Sequence, residues 1–517
     1  MRARITLLAA AVVFVSATIA GPPAVAATCM RTLVVNDSGD APVSTNGQLR
    51  TAIAEVCNGG TIILGPGLII TLSQGQLVIP RGKSITIKGS ATIDANAAGR
   101  VIWVQPGANL TLKNIVVRGG SDAGINNEGT VTIRNGNVTA NGRAGVVNLG
   151  SVTLTKRARV SGNQGTGVLN DIDFSVFPKR VGQLTLEDDS SISGNTGLLS
   201  FGVIVGPAGG GVFNAGVTTL NDRSVVRDNV ASQGGAVYNG FSPGAESPTG
   251  VLVLNDRSSV SHNVATETGG GVYNPPSGGS GPTVVLNDFS TVSNNAAPFG
   301  AGLSGRGSMI LNDFSAVRNN DGVGISNVRG DIILNDSSSV SENEGNGVFI
   351  FGTDVTLNDQ SSVTGNLGRG ISVVAAFAHL NDDSSVTQNQ DGGVTVDSGS
   401  VIMTGASSIH ENATAGNGGG IEVRSFGRVL MNGTSTIAGN RASLGGGIFM
   451  LGEPGNPGDP PTIFVILNDA TTITGNTATA GQGGGVYNDG GSGSVTLNDA
   501  SSIAGNIPDN CYPPGTC

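Results

Sequence analysis

A ten-residue phrase, L-N-D-x-S-S-V-x-x-N, constrains this chain more than any other feature. It stands as LNDSSSVSEN at 334–343 and as LNDQSSVTGN at 357–366, 23 residues apart. With the Leu, or the residue in its place, as the mark, the phrase recurs at 112, 133, 154, 186, 220, 254, 286, 311, 334, 357, 380, 403, 431, 467 and 497. From Leu311 to Met403 the step is 23 four times running; elsewhere it varies from 21 to 36. Such a period is the sign of stacked repeats, each of which buries its apolar side only against its neighbours.

Within one unit three short segments, G-V-F-I, V-T-L and S-S-V, are apolar at alternate positions and rich in β-branched residues, which makes them strands. Clusters of Gly, Asn and Asp between them make tight turns. Three strands and three turns in 23 residues form one coil of a parallel β-helix, right-handed by the general crossover preference. The fold class is therefore all-β: a solenoid of about 15–16 coils of 21–36 residues, running from Leu77 to Asn506. Fifteen coils at about 4.8 Å each give a rod of roughly 70 Å. Composition agrees: 12% charged and 38% hydrophobic residues exclude disorder, and the 83 Gly lack collagen's every-third period.

The residue nine places after the mark is Asn in all thirteen units from Leu154 to Leu497; Asn320, Asn343, Asn366, Asn389 and Asn412 belong to this column. Stacked amides donate to one rung and accept from the other, so the column is read as a structural ladder that satisfies buried turn groups.

The ends of the chain differ from its middle. Arg2 and Arg4, an apolar run from Ile5 to Ala20 and Ala24-Val25-Ala26 form an export signal over 1–26. Residues 27–76 read as an N-terminal cap with a short helix: Leu49, Ile53 and Val56 have helical spacing, and Asn46 stands where an N-cap would. Residues 507–517 read as a C-terminal cap. Four Cys in an exported chain imply two disulfides. Because the ends of a rod cannot meet, Cys29 is expected to pair with Cys57 and Cys511 with Cys517. No other segment approaches a membrane span, so membrane insertion is not expected.

The motifs GGGVFN at 209–214, GGAVYN at 234–239 and GGGVYN at 269–274 and 483–488, each flanked by V/I-x-x-N, resemble the repeats of polymorphic outer-membrane proteins. This chain has Val or Ile where those repeats have Phe, and lacks that family's C-terminal barrel. Residues 33–120, with LVVNDSGDAPVSTNGQLRTAIAEVCNGGTIIL, LVIPRGKSITIKGSATIDA and LTLKNIVVRGG, are similar to the N-terminal segment of secreted bacterial CSLREA-type right-handed β-helix proteins. The resemblance implies the fold and export; such folds host many functions.

Catalysis needs acid, base or metal groups gathered at one bond. His262, His379 and His410 stand at different offsets from their marks, and the acid pairs Asp188-Asp189 and Asp382-Asp383 lie many residues apart. No catalytic residue is assigned. The Asp two places after the mark forms a column that includes Asp313, Asp336, Asp359 and Asp382. Calcium held between rungs is one reading of it. The favoured reading is an Asx-turn, in which each Asp accepts from the N–H two residues on. No cofactor is called for beyond that calcium.

Charge is uneven. Residues 81–180 hold 13 Lys/Arg and 5 Asp/Glu, a balance of +8, whereas residues 181–517 hold 10 and 29, a balance of −19. Lys156, Arg157, Arg159, Lys179 and Arg180 are the densest basic group and the candidate contact with a cell-wall polysaccharide or surface protein. Few aromatics interleave, so nucleic acid is not an expected partner. An aliphatic stripe just before each mark (Val253, Val285, Ile310, Ile333) faces outward, and long coils add loops at 171–182, 196–208, 240–250 and 451–461. The expectation is a secreted, monomeric surface, adhesion or glycan-binding module, extracellular or cell-surface associated. An extracellular polysaccharide lyase or glycoside hydrolase is the alternative.

Overall fold

The computed structural model describes residues 29–43, 46–173, 179–197, 209–240, 250–276, 281–452, 462–490 and 493–517. The export signal and most of the loops at 171–182, 196–208, 240–250 and 451–461 lie outside them.

The chain is a right-handed parallel β-helix whose rungs each contribute one strand to three faces. In the 23-residue units these are the LND face (Ile332–Leu334, Val355–Leu357), the SSV face (Ser339–Ser341, Ser362–Thr364) and the GVYN face (Val348–Phe351, Ile371–Val374). Pairing between rungs is parallel and in register: Leu334 lies beside Leu357, Val340 beside Val363 and Val348 beside Ile371. The register follows from alternation, because a slip of one residue would turn every apolar side chain to solvent. Leu334, Leu357, Val340, Val363, Val348 and Ile371 are all fully buried in one core cluster that runs the length of the rod.

The Asn column is buried as expected, and its chemistry is repetitive. Asn366 donates from its backbone N and Nδ2 to Oδ1 of Asn389, at 3.1 and 2.9 Å, and also from Nδ2 to the carbonyl of Val340. Its own Oδ1 accepts the same pair from Asn343. Links of this kind run unbroken from Asn141 to Asn506. The GGGVYN motif belongs to the same device. A Cβ on Gly347 would lie 2.7 Å from Asn366 Nδ2, so glycine lets the GVYN strand close over the ladder.

Two further ladders accompany the first. In the LND face Asn335 donates to Asn312 and Asn358 to Asn335, each at 2.8 Å, and in the GVYN face Asn127, Asn148, Asn170, Asn214, Asn239 and Asn274 are linked in turn. The rung interior also holds a column of Ser one turn after the mark, among them Ser315, Ser338, Ser361 and Ser384, whose buried hydroxyls have no hydrogen-bond partner.

The turn Asp column departs from the Asx-turn expectation. Each Asp adopts a left-handed conformation, φ 58° at Asp313 and Asp336 and 55° at Asp359. Its Oδ2 accepts not from two residues on but from the N–H of the Asp one rung earlier, as in Asp313 N to Asp336 at 3.2 Å and Asp336 N to Asp359 at 3.3 Å. The left-handed turn aims that N–H along the rod instead of back into its own turn, and Asp tolerates the conformation better than most residues.

Regular rungs begin earlier than Leu77. Met30–Val35 and Val56–Leu64 already pair in the LND face, and Ile69–Thr71 begins the SSV face. The helix spans Leu49–Glu55, and its Leu49, Ala52 and Ile53 join the main core. Gln48, not Asn46, is its N-cap, without a side-chain cap. Gln48 is committed elsewhere, accepting from Ala41 N and donating to Asp37. The two disulfides are Cys29–Cys57 and Cys511–Cys517, as expected. Cys511–Tyr512 adds a last strand to the GVYN face. No helix among the described residues is long and apolar enough to cross a membrane.

Candidate functional site on the outer GVYN face

In a GVYN strand the Val and Asn point inward and the residue between them points outward. Register carries that outward residue through Trp103, Asn126, Val147, Leu169, Phe213, Tyr238 and Tyr273 in the first half of the rod. The same column continues through Ser304, Ser326, Phe349, Ser372, Thr395, Glu422, Phe449, Tyr487 and Tyr512. It is therefore not uniform: two aromatic stretches flank one of hydroxyl and charged groups in which Phe349 is the one ring.

The rings stack along the rod axis because rungs repeat at the distance rings prefer. Phe213 and Tyr238 have centroids 5.0 Å apart and nearly parallel planes, and Tyr273 meets Tyr238 edge-on at 5.7 Å. Phe449, Tyr487 and Tyr512 form a second stack with successive spacings of 5.4 Å. Leu169, Ile172 and Ala215 pack on the first stack and bury Phe213 and Tyr238, whereas Tyr273, Tyr487 and Tyr512 remain partly open. Burial pushes the phenols of Tyr238 and Tyr273 above their ordinary value, and burial with Asp489 and Tyr512 nearby does the same for Tyr487. These phenols stay protonated and able to donate at neutral pH.

Between the stacks lies a charged knot. Glu422, almost wholly buried, receives Nε and Nη2 of Arg424 on Oε1, at 3.0 and 2.8 Å, while Arg369 Nη2 lies 2.6 Å from Oε2. Arg369 also donates to Thr395 and lies 3.8 Å from Asp391, which accepts from Thr414 Oγ1 at 2.9 Å. Sequence reasoning missed this knot because its members come from successive rungs, and only the register brings them together.

The five basic candidates do not form one patch. Lys156 and Arg157 occupy the turn after the LND strand Ser151–Thr155, where Lys156 pairs with Asp188 at 3.4 Å and Arg157 lies 3.7 Å from Asp189. Arg159 begins the adjoining SSV strand. Lys179 and Arg180 lie at the opposite end of the LND strands, where Arg180 donates to the Glu128 carbonyl and pairs with Asp173 at 3.7 Å. There Lys179, Arg180, Glu128 and Gln183 line a groove of about 500 Å³. Asp313, Asp336, Asp359 and Asp382 line a second groove of about 500 Å³. Among the described residues no three His, Cys, Asp or Glu side chains gather as metal ligands do.

No family model and no curated protein matches the sequence. Among solved structures the chain is similar to the A-module of the Azotobacter vinelandii mannuronan C-5 epimerase AlgE6, at 13% identity over 90% of this chain and 95% of that one, with a TM-score of 0.34. It is also similar to the pectate lyase Pel9A, at 14% identity over 79% and 77% of the two chains, with a TM-score of 0.19. Superpositions this loose do not align individual side chains, and any function must be read from this chain's own surface.

Proposed function

We propose that the chain is an exported β-solenoid that binds a glycan along its outer GVYN face and serves as a surface or adhesion module without catalysis of its own. The observation that carries this reading is the pair of aromatic stacks on one rigid face, partly open at Tyr273, Tyr487 and Tyr512, with the hydroxyls of Ser304, Ser326, Ser372 and Thr395 and the ring of Phe349 between them. Flat rings stack on the C–H faces of sugars, and a row of hydroxyls in register supplies repeated weak contacts that add through avidity. The two disulfides suit an exported protein.

The charged knot favours the second reading, a polysaccharide lyase or hydrolase, because it sets two carboxylates and two guanidinium groups on that face. Against it, Oε1 of Glu422 accepts from Arg424, and Oε2 is buried 2.6 Å from Arg369 Nη2 in an ion pair, so both oxygens face arginines inside the knot. A glycan array with the intact protein tests both. Binding weakened by Tyr487→Ala and Tyr273→Ala, with no release of reducing ends or unsaturated uronates, supports the binding module. Turnover abolished by Glu422→Gln would make it an enzyme.

A further inference from the structure

A corner of the rod away from the GVYN face carries a column with a gap in it. The residue after each turn Asp lies on the surface, and along successive rungs it is Arg257, Phe289, Phe314, Ser337, Gln360 and Asp383, all exposed except the half-buried Ser337. Backbone bonds hold these positions one rung apart: Phe314 N to Asp288 O, Ser337 N to Asp313 O and Gln360 N to Asp336 O, each at 2.8 Å. Side chains therefore stack. The Arg257 guanidinium lies 5.7 Å from the Phe289 ring centre, and Phe289 and Phe314 are parallel to within 6° at 5.1 Å. The next place belongs to Ser337, whose side chain is too short to cover the ring. Phe314 is 58% exposed, against 52% for Phe289 between its two stacking neighbours, and among the described residues no ring covers its second side.

The gap is the groove of about 500 Å³ already met, with Phe314 at one end, Gln360 and Asp383 at the other, and Asp336 and Asp359 alongside. Each of these two carboxylates gives one oxygen to the preceding rung, which leaves the other for a ligand. None of the ion pairs among the described residues involves Asp336, Asp359 or Asp383, whereas Asp188 and Asp189 on the same corner are matched by Lys156, Arg157 and Arg223. The groove thus joins a bare aromatic face to uncompensated negative charge.

We propose that this gap binds one ring of a cationic, glucosamine-type glycan. The apolar face of the sugar completes the stack on Phe314, and its ammonium and hydroxyl groups meet Asp336, Asp359 and Asp383. One rung, about 4.8 Å, is close to the thickness a stacked ring needs. An ammonium group beside Phe314 gains from the ring as well as from the carboxylates. Uronates and sulfated sugars are repelled by the same charges. The site is separate from the GVYN face and stands or falls without it.

Calorimetric titration of the full chain at low salt, with a β-1,4-linked glucosamine hexamer, its N-acetylated counterpart and a galacturonate hexamer, tests the proposal. The glucosamine hexamer is expected to bind most tightly and the galacturonate hexamer not at all. Phe314→Ala and Ser337→Phe, the latter filling the gap by extending the stack, should each weaken binding about tenfold, as loss of a ring contact allows. Ser337→Phe should leave the melting temperature unchanged, and Tyr487→Ala should leave this binding intact. The proposal is overturned if the glucosamine hexamer does not bind, if the N-acetylated hexamer or an oligolysine binds as well, or if binding survives both Phe314→Ala and Ser337→Phe. Loss of array binding in Tyr487→Ala, with glucosamine binding retained, would bear only on the GVYN face.

Discussion

At the N-terminal end of the rod the helix Leu49–Glu55 packs into the main core, and Val35 of the first rung and Ile62 and Leu64 of the second are at most 2% exposed. At the C-terminal end the last LND and SSV strands, Gly493–Leu497 and Ser502–Ala504, pair on one side only. Their inward residues stay partly open, and Leu497 is 42% exposed. The C-terminal tail closes less than a cap would: it adds a strand to the GVYN face, and Asn510 Oδ1 receives the last ladder amide, Asn506. The same repeat thus ends in two ways. A solenoid's core is continuous, so an end is closed by a segment of different sequence, and among the described residues only the first end carries a helix in that place.

The largest expected effect lies in the N-terminal cap. Asp40 is buried and accepts from Arg50 at 2.8 and 3.0 Å, from Ser73 N at 2.7 Å and from Gln74 N at 2.9 Å. Asp40→Ala, which strands Arg50, should cost about 3–5 kcal/mol of cap stability, read by hydrogen exchange across residues 30–72. Burial works to raise the Asp40 pKa, but Arg50 and the two backbone N–H groups outweigh it and hold it below the ordinary value of an aspartate. A depressed carboxylate stabilises the fold above its unfolded pKa, and that stability is lost as pH falls through the folded one. Acidification below about pH 4 should therefore loosen this end first, and Asp40→Asn should flatten the response.

Leu49→Ala at the covered end should cost about 2–5 kcal/mol, whereas Leu497→Ala at the open end should cost under about 1. Equal losses in denaturation would contradict the contrast between the ends. The disulfides follow the same order. Cys29–Cys57 spans 28 residues and Cys511–Cys517 only 6. Loop entropy then predicts a loss of about 3–4 kcal/mol for removing the first and about 2 for the second.

Between the ends, Asn366→Ala should cost about 1–3 kcal/mol, because its neighbours' buried donors and acceptors lose their partners. Ser361→Ala, one turn earlier, should leave the melting temperature unchanged or raise it, since that buried hydroxyl bonds to nothing.

The sequence announces its columns wherever the register is strict. The marks, the inward Val residues and the Asn nine places on are legible because one pattern recurs at one offset. What a column does with its hydrogen bonds is less legible. The Asp after each mark is visible as a turn residue, but whether it accepts from its own turn or from the neighbouring rung depends on a left-handed φ that the sequence does not print. The GVYN face is less legible still. Its aromatic stacks and the Arg369–Glu422–Arg424 knot join residues from different coils of unequal length, so no fixed spacing reveals them. Residues 507–517 read as a C-terminal cap, and of the three faces they pair with the GVYN face, besides bridging Thr477 at a corner.

The buried Asn ladder also has a direction. From Asn141 to Asn506 every side-chain link points from an amide N–H to the oxygen on the next rung toward the C-terminus. Amide dipoles of about 3.5 D each, laid head to tail, add instead of cancelling. The ladder of the LND face runs the other way, as in Asn358 to Asn335, but it is half-buried and more screened by water. The interior is thus electrically polarised, with its positive pole toward the C-terminal end. Fixed charge follows the same axis: residues 81–180 carry a balance of +8, near the negative pole, and residues 463–517 carry four Asp and no Lys or Arg, near the positive one. Beside a charged polymer such a rod has a head and a tail, and lying one way along it is not equivalent to lying the other.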